Sequence, residues 1–559
     1  MCCTSKSKLL IIFSFIFLLA GCGGGSDGGD SDKKTITNET KEYTVTTQSD
    51  NNGSITPPSV TVKHGATTTF TLEAKTGFEI DKVSGCNGEL SGNSYTTAPV
   101  TSACSVEAEF KAKKTKLTSI NFEDDNLKQC VLDTGLKYVE YLTVLTCSDK
   151  SIKSTVGIEQ LTALTKLHLS DNQLTSIDIS NNTALTSLHL GENKLTSIDI
   201  SKNTALTSLN LRNNQLTSID VSNNTVLTEL YLGDNQLTNI DVSNNSELTT
   251  LWLFDNELTD INLSNNTALS ELWLSDTQLT NIDVSNNSEL TNLWLFGNEL
   301  TSIDVSKNTA LTSLDLGDNQ LTSIDVSINT ALTRLSLYTN QLTSIDVSNN
   351  TALTYLNLGD NQLTDIDVSN NTALTSLGLS RNQLTSIDVS NNTALSVLWP
   401  HNNKLTSIDV FNNTALTSLN LRNNQLTSID VSHNTELTYL YLDDNQLTSI
   451  DVSHNTELTS LDLEDNQLTS IDVSNNTALT YLDLDFNQLT SIDVSNNTAL
   501  TELYLEDNQL TSIDVSNNTA LTSLWLFNNQ LTSIDLTNNV NITNLNIDPD
   551  VICSGSVCP

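Results

Sequence analysis

Positive charge is scarce in this 559-residue chain: 25 Lys and Arg stand against 66 Asp and Glu, a formal net charge of −41. Only nine of the basic residues lie between Leu164 and Ile547. An acidic segment of that length repels phosphate backbones and anionic membrane surfaces, which excludes nucleic acid as a partner. The simpler reading of the excess is that it keeps a long exposed structure in solution. Apolar runs long enough to cross a bilayer are missing after Leu19. The chain also lacks C-x-x-C spacing, a nucleophile elbow and a Walker loop, and its six histidines are scattered. No catalytic constellation emerges, so the expectation is a protein that is not an enzyme and needs no cofactor. His168 and His189, one repeat apart, read as an incidental stacked pair.

What is present begins with an address. Lys6 and Lys8 precede an apolar run from Leu9 to Leu19, followed by Ala20, Gly21 and Cys22. Basic residues, a short apolar run and small residues describe a secretory signal. Leu19-Ala20-Gly21-Cys22 resembles the bacterial lipobox. The resemblance implies removal of residues 1–21, lipid on the Cys22 thiol and an exported, lipid-anchored protein. Gly23 rather than Asp after that cysteine implies the outer membrane or cell surface as its destination. Residues 22–41, rich in Gly, Ser, Asp and Lys, read as a flexible tether.

With Cys2 and Cys3 removed and Cys22 lipidated, six cysteines remain. They fall in local pairs, Cys86 with Cys104, Cys130 with Cys147 and Cys553 with Cys558. An even, paired set in an exported protein reads as three disulfides, with metal binding the weaker alternative.

Residues 42–113 alternate apolar and polar, as in Thr68-Thr69-Phe70-Thr71-Leu72, and are broken by Asn52-Gly53 and Pro57-Pro58. That pattern predicts a small all-β domain. The series Gly53-Ser54-Ile55, Gly77-Phe78-Glu79-Ile80, Val83-Ser84-Gly85-Cys86 and Cys104-Ser105-Val106 resembles the internalin-type B-repeat modules of bacterial surface proteins. The resemblance implies a spacer or adhesion module.

From Leu164 to Asn541 a block of 21 residues repeats eighteen times without insertion: L-T-x-L-x-L-x-x-N-x-L-T-x-I-D-V-S-x-N-x-x. Self-similarity at this period is the signature of a solenoid. L-x-x-L-x-L-x-x-N resembles the core of the leucine-rich repeat, and the nested second half, L-x-x-I-D-V-S-x-N, resembles the short bacterial class. Alternation in each half predicts a three-residue strand, with Leu167 and Leu169 inward around His168, and Ile177 and Ile179 inward around Asp178. The fold expected is a leucine-rich repeat solenoid of about eighteen parallel β coils, mainly β with little helix. A second, weaker sheet is expected opposite the first. Residues 114–163 read as an N-terminal cap with a degenerate first coil, sealed by Cys130–Cys147. Residues 542–559 read as a last half-coil and C-terminal cap.

Asn fills position 9 in seventeen coils, Thr277 being the exception, and position 19 in all eighteen. An inward Asn can satisfy backbone groups that no strand ladder reaches. Asp fills position 15 in seventeen coils, with Asn262 the exception. Rows such as Asp178, Asp199 and Asp220 are open to two readings: a ladder solvated by Ser and Thr hydroxyls, or a binding row for Ca²⁺.

Against this framework the variable positions stand out. Position 5 carries every tryptophan of the chain, Trp252, Trp273, Trp294, Trp399 and Trp525. Tyr231, Trp252, Trp273 and Trp294 occupy four successive coils, with Phe254 and Phe296 at position 7 beside them and Glu229 and Glu271 nearby. A second group joins Tyr439, Tyr441, Tyr481, Tyr504 and Trp525 to Asp462, Asp483, Asp485 and Glu506. In leucine-rich repeat proteins the first-strand face is the concave ligand surface, and contiguous exposed aromatics mark interaction sites. The competing reading is that stacked aromatics merely stabilise the solenoid.

The function expected is a surface-anchored lipoprotein that binds a protein or glycan, as in adhesion, through that aromatic face. The alternatives are a structural envelope rod that spaces cell-surface material without a ligand and, more remotely, an enzyme-associated substrate-capture module. A Lys- or Arg-rich partner would complement the acidic surface.

Overall fold

The computed structural model describes residues 40–559, in two compact units that divide between Lys113 and Lys114. The signal sequence, Cys22 and nearly all of the tether lie outside the described residues.

The smaller unit holds β1 (Glu42–Ser49), β2 (Gly53–Thr56), β3 (Ser59–Lys63), β4 (Thr69–Ala74), β5 (Phe78–Ser84), β6 (Glu89–Ser91), β7 (Ser94–Thr96) and β8 (Cys104–Ala112). They form two four-stranded sheets, in the orders β3-β1-β8-β5 and β2-β4-β7-β6. All pairings are antiparallel except β1 with β8. The period-2 pattern sends Phe70 and Leu72 inward to meet Val45, Val106 and Phe110, while Thr69, Thr71 and Glu73 face water. Asp50 ties the β1–β2 turn to β8, accepting from the backbone N–H of Asn52 at 2.8 Å and of Phe110 at 2.9 Å. A disulfide joins Cys86 to Cys104.

In the larger unit, positions 3 to 5 of every coil form a strand, from Lys166–His168 in coil 1 to Ser523–Trp525 in coil 18. Each pairs in parallel with the next in a 21-residue register, so Leu167 meets Leu188 and His168 meets His189. Val144–Thr146 before the first coil and Asn544–Asn546 after the last extend the sheet to twenty strands in sequence order. The interior is a continuous aliphatic column. Leu at positions 1, 4, 6 and 11 of coil 1 (Leu164, Leu167, Leu169, Leu174) is fully buried, Ile179 nearly so, and Ile177 partly. At the N-terminal end α1 (Asp125–Asp133) packs Leu127 and Val131 onto that column. Asp124 caps the helix through the N–H groups of Asn126 and Leu127. Disulfides Cys130–Cys147 and Cys553–Cys558 close near the two ends.

The second sheet does not form along the coils. Among the described residues the only second-half strand is Ser533–Asp535, which pairs with Ile552–Ser554 in the C-terminal cap. Along the coils the position-15 side chain accepts the backbone N–H two residues on, as Asp178 does from Ser180 and Asp199 from Ser201, both at 2.9 Å. Asp535 in the strand-forming coil makes the same bond, to Thr537 N–H at 3.0 Å, so what sets that coil apart is the cap strand Ile552–Ser554 paired beside it.

Asparagine supplies the contacts between coils that strands do not. Asn193 at position 9 donates to the carbonyls of Leu190 in its own coil and Leu169 in the preceding one, both at 3.0 Å. Its Oδ1 accepts from Leu174 N–H at 3.0 Å. Asn203 at position 19 likewise donates to Ile179 and Asn182 of the coil before, at 3.0 and 2.9 Å. Thr277 interrupts the first row: its hydroxyl reaches Leu274 and Asn298 but takes no hydrogen from Leu258 N–H, which a position-9 Asn would accept.

Position 8 turns the chain out of the sheet with a positive φ in all eighteen coils. Asp, Asn and Gly, which tolerate the left-handed region, fill fourteen of these positions, leaving Glu192, Thr339, Arg381 and Phe486 as exceptions. Thr339, β-branched at φ 50°, carries the clearest strain. Thr339→Asn should therefore raise stability by about 1 kcal/mol, read as a higher urea midpoint. An unchanged or lower midpoint would show that the turn is not strained there.

Candidate binding surface

Because strand side chains alternate, positions 3, 5 and 7 of each coil share the outer face of the long sheet while positions 4 and 6 enter the core. Stacking one coil on the next converts a variable position into a row. The first aromatic row is interlocked. Tyr231 meets Trp252 at 4.8 Å between ring centroids, Trp252 meets Trp273 at 5.3 Å and Trp273 meets Trp294 at 5.5 Å, all edge-to-face. Phe254, 7% exposed, lies against Trp273 at 4.1 Å. Such geometry satisfies the ring quadrupoles among themselves. The indole N–H of Trp252 is held by Glu271 at 3.1 Å and that of Trp294 by Ser313 at 3.3 Å, whereas that of Trp273 has no partner. The four rings of this row and Phe296 are half-buried.

The more open aromatics lie toward the C-terminus. Trp399 is 45% exposed and Tyr439 is 47% exposed. Trp399 stands apart from the other rings and donates to the Ser418 hydroxyl at 3.0 Å. Tyr439 stacks on Tyr441 at 6.5 Å, and Tyr481, Tyr504 and Trp525 form a chain at 5.6 and 5.0 Å. Phe527, at position 7 of the last coil, is also exposed. Sequence reasoning passed over Phe486. It is exposed, and it sits at φ 52° in the position-8 turn that other coils give chiefly to Asp, Asn or Gly. That departure from the turn's residue preference was the available signal.

Beside these rings the acids are brought together. Position 7 carries Asp443, Glu464, Asp485 and Glu506 in four successive coils, and position 5 carries Asp462 and Asp483 between Tyr441 and Tyr504. Carboxylate oxygens of Asp462, Glu464 and Asp483 lie within 4.8 Å of one another. Asp483 is well held, accepting from Tyr481 Oη–H and Asp485 N–H, both at 3.0 Å. Arg422 stands 3.6 Å from Asp443 at one edge. Burial, then the charges of Asp443 and Asp483, pushes the Asp462 carboxyl up to about 8. Burial, then the charge of Asp483, pushes Asp485 up to about 8 as well. Burial also raises Asp443, Glu464, Asp483 and Tyr481, and it pushes Tyr504, which donates to Glu502, up to about 12.

The position-15 row behaves in the opposite way. Asp178, Asp199 and Asp220 are exposed, and hydrogen bonds from Ser180, Ser201 and Ser222 hold their carboxyls below the ordinary range. In each, Oδ1 accepts the turn's backbone N–H. Among the described residues the one three-residue acidic grouping close enough to share an ion is the one at Asp462, not this row. His168 and His189 stack with ring centroids 4.2 Å apart and planes 4° from parallel, and burial lowers both.

Family models match much of the solenoid. One described as "Leucine Rich repeats (2 copies)" matches residues 162–203, 414–454 and 498–538. A "Leucine rich repeat" model matches 435–489, and another 202–222, 223–243, 307–327 and 349–369. No curated protein matches the chain. Among solved structures, the functional domain of InlJ from Listeria monocytogenes is 34% identical with a TM-score of 0.56, over 66% of this chain and 79% of that one. That domain is described as including a cysteine ladder; the repeats here contain no cysteine and carry the asparagine rows instead. A leucine-rich repeat protein of Leptospira interrogans is 26% identical with a TM-score of 0.52, over 61% of this chain and 90% of its own. The Arabidopsis receptor kinase HAESA, solved with the peptide hormone IDA and the co-receptor SERK1, shares the fold at 24% identity. Its TM-score is 0.58, over 70% of this chain and 75% of that one.

Proposed function

This chain belongs to the internalin-like leucine-rich repeat proteins, and on that premise we propose that it is a surface-anchored lipoprotein that binds a protein ligand. The ligand surface is the outer face of the long sheet. Lipid on Cys22 would hold the molecule at the outer membrane or cell surface, and the all-β unit would serve as a B-repeat-like spacer. One observation carries the reading: in repeats otherwise nearly uniform, the outward strand positions vary, and position 5 collects all five tryptophans of the chain. A framework needs no such variation, whereas recognition does. HAESA, with its peptide hormone, supports the fold as a carrier of protein ligands.

The edge-to-face packing of Trp252, Trp273 and Trp294 gives those rings a share in stability, so they make a poor first test. Trp399 and Tyr439 are the better probes, being close to half exposed. Arrays of cell-surface proteins and of glycans should be probed with wild type and with a Trp399→Ser/Tyr439→Ser variant. The expected result is a protein ligand whose affinity falls at least about tenfold in the variant, a loss typical of interface aromatics, with an unchanged melting temperature. A glycan ligand, or retention by neither array, would overturn the reading; the second result would favour a structural rod.

A further inference from the structure

We propose that the sheet face of coils 11 to 13 receives an extended acidic segment of the protein ligand, its carboxylates on Arg381 and Arg422 and an apolar side chain against Trp399. This rests on the preceding reading that the face binds protein. Its first ground is an inversion of charge. Positions 1 to 11 of coils 11, 12 and 13 (residues 374–384, 395–405 and 416–426) contain no Asp or Glu, and no other three successive coils share this. The same stretches carry Arg381, Lys404 and Arg422, three of the nine basic residues between Leu164 and Ile547. A cationic island therefore sits on an acidic solenoid. In physiological salt, charges more than about 8 Å away are largely screened. A segment lying on the island thus responds to these arginines rather than to the net charge of the chain.

The backbone departs from the repeat at the same place. Position 6 is Leu in every coil but coil 12, where it is Pro400. In the other coils the position-6 N–H donates to the position-5 carbonyl of the next coil, as Leu379 does to Trp399 at 3.0 Å and Leu421 to Tyr441 at 2.8 Å. Proline has no N–H, so the Asn420 carbonyl loses that donor, and the pairing of the two strands ends at Leu398 and Leu419. A backbone N–H of an added polypeptide can supply the missing donor, which an inorganic anion cannot. Beside this break Trp399 is 45% exposed, and its neighbour across the ladder in coil 11 is Gly378, which has no side chain to cover it. Arg381 N–H donates to the His401 carbonyl and Asn402 N–H to that of Arg422, both at 2.9 Å, so the arginines flank His401 on successive coils. Burial, then the charges of Arg422 and Arg381, hold the His401 imidazole below its ordinary range and leave the positive charge to the guanidiniums. Both guanidiniums are exposed, and each meets an acid through one nitrogen only: Arg381 Nη1 with Asp360 at 3.4 Å, Arg422 Nε with Asp443 at 3.6 Å. The terminal nitrogens of Arg422 remain for a two-point hold on a carboxylate. Two strand spacings, about 10 Å, separate coils 11 and 13. Arginine side chains close that gap to meet acids at alternate positions, about 7 Å apart, of an extended chain. Asp360 and Asp443 bound the island, so acids beyond such a motif would be repelled.

The test titrates the intact protein against arrays of acetylated, amidated peptides of the form x-Glu-x-Glu-x, with x neutral, and against matched sets carrying Gln or Lys in place of Glu. The Glu set should be retained at least about tenfold more tightly than either other set, and less tightly as NaCl is raised. Arg381→Asn and Arg422→Ser, each a residue that other coils carry at that position, should weaken binding about five- to tenfold. Trp399→Ser should weaken it about tenfold. Lys202→Gln, in the second half of coil 2, should bind as wild type does. Melting curves identify any variant that fails to fold; Arg381→Asn relieves an arginine held at φ 49° and should melt no lower than wild type. Preference for the Lys set, retention of no set, or undiminished binding in a folded arginine variant would each overturn the proposal. So would binding of oligogalacturonate in preference to every peptide. A protein ligand captured through Trp399 but indifferent to both arginines would overturn it too, while leaving the preceding reading intact.

Discussion

Asn382→Ala is expected to destabilise the solenoid by about 1–3 kcal/mol. Asn382 Oδ1 accepts Leu363 N–H at 2.9 Å, and its amide donates to Leu358 at 2.9 Å and to Leu379 and Ser380 at 3.2 Å. Alanine would strand the buried Leu363 N–H, at a cost of about 1–3 kcal/mol, while the Leu358 and Leu379 carbonyls keep the Asn361 and Asn403 amides as donors. The neighbouring Asn391 makes a useful control. It is exposed and gives one hydrogen bond, to Ser369 at 3.2 Å, so Asn391→Ala should change stability by no more than about 0.5 kcal/mol. Urea denaturation of both variants checks the contrast. Similar midpoints for the two would mean that the asparagine row does not hold the coils together.

The second large effect is a pH dependence opposite in sign to that of most acidic proteins. Asp462 and Asp485 have folded-state carboxyls raised to about 8 from an ordinary 3.8. A group with a raised value favours the folded state most at low pH. Its contribution is complete below about pH 4, is lost as pH rises toward 8, and stays constant above. Each such group tilts the curve by up to about 1.4 kcal/mol per pH unit across that window. The exposed position-15 acids are lowered, so their contribution is present above about pH 4 and is lost only on further acidification. The two sets therefore act in different windows. In chelator-treated buffer, urea midpoints should fall between pH 5 and pH 8, and Asp462→Asn should flatten the slope while raising stability at pH 8 by about 1–3 kcal/mol. A midpoint that rises with pH across the same range would contradict the environment described for coils 14–17.

Much of this was legible in the repeat itself. Leu at positions 1, 4, 6 and 11 declared the core, Asn at positions 9 and 19 declared polar contacts between coils, and the local cysteine pairs declared the three disulfides. The second sheet was misjudged because I-D-V-S alternates like a strand, and alternation within one coil cannot reveal whether the neighbouring coil pairs with it, as, among the described residues, only the cap strand beside Ser533–Asp535 does. The acids of coils 15 and 16 come together only when position 5 of one coil is stacked on position 5 of the next. The position-8 turn was present in the sequence as a column of Asp, Asn and Gly, and went unread because φ is not a property of a single residue type. Burial was the hardest to foresee: Trp273 and Trp399 occupy the same repeat position, yet one is enclosed by its neighbours' rings and the other is open.

The central claim is that recognition is carried by the outer face of the long sheet, separate from the framework that builds it. Hydroxyl-radical footprinting of the protein with and without its captured ligand tests this most directly. The account predicts protection of Trp399, Tyr439, Phe486 and Phe527, with Phe411, exposed at position 17 in the second half of its coil, unchanged. Protection of Phe411, or of Tyr43 and His64 in the smaller unit, while the sheet face stays reactive would contradict it.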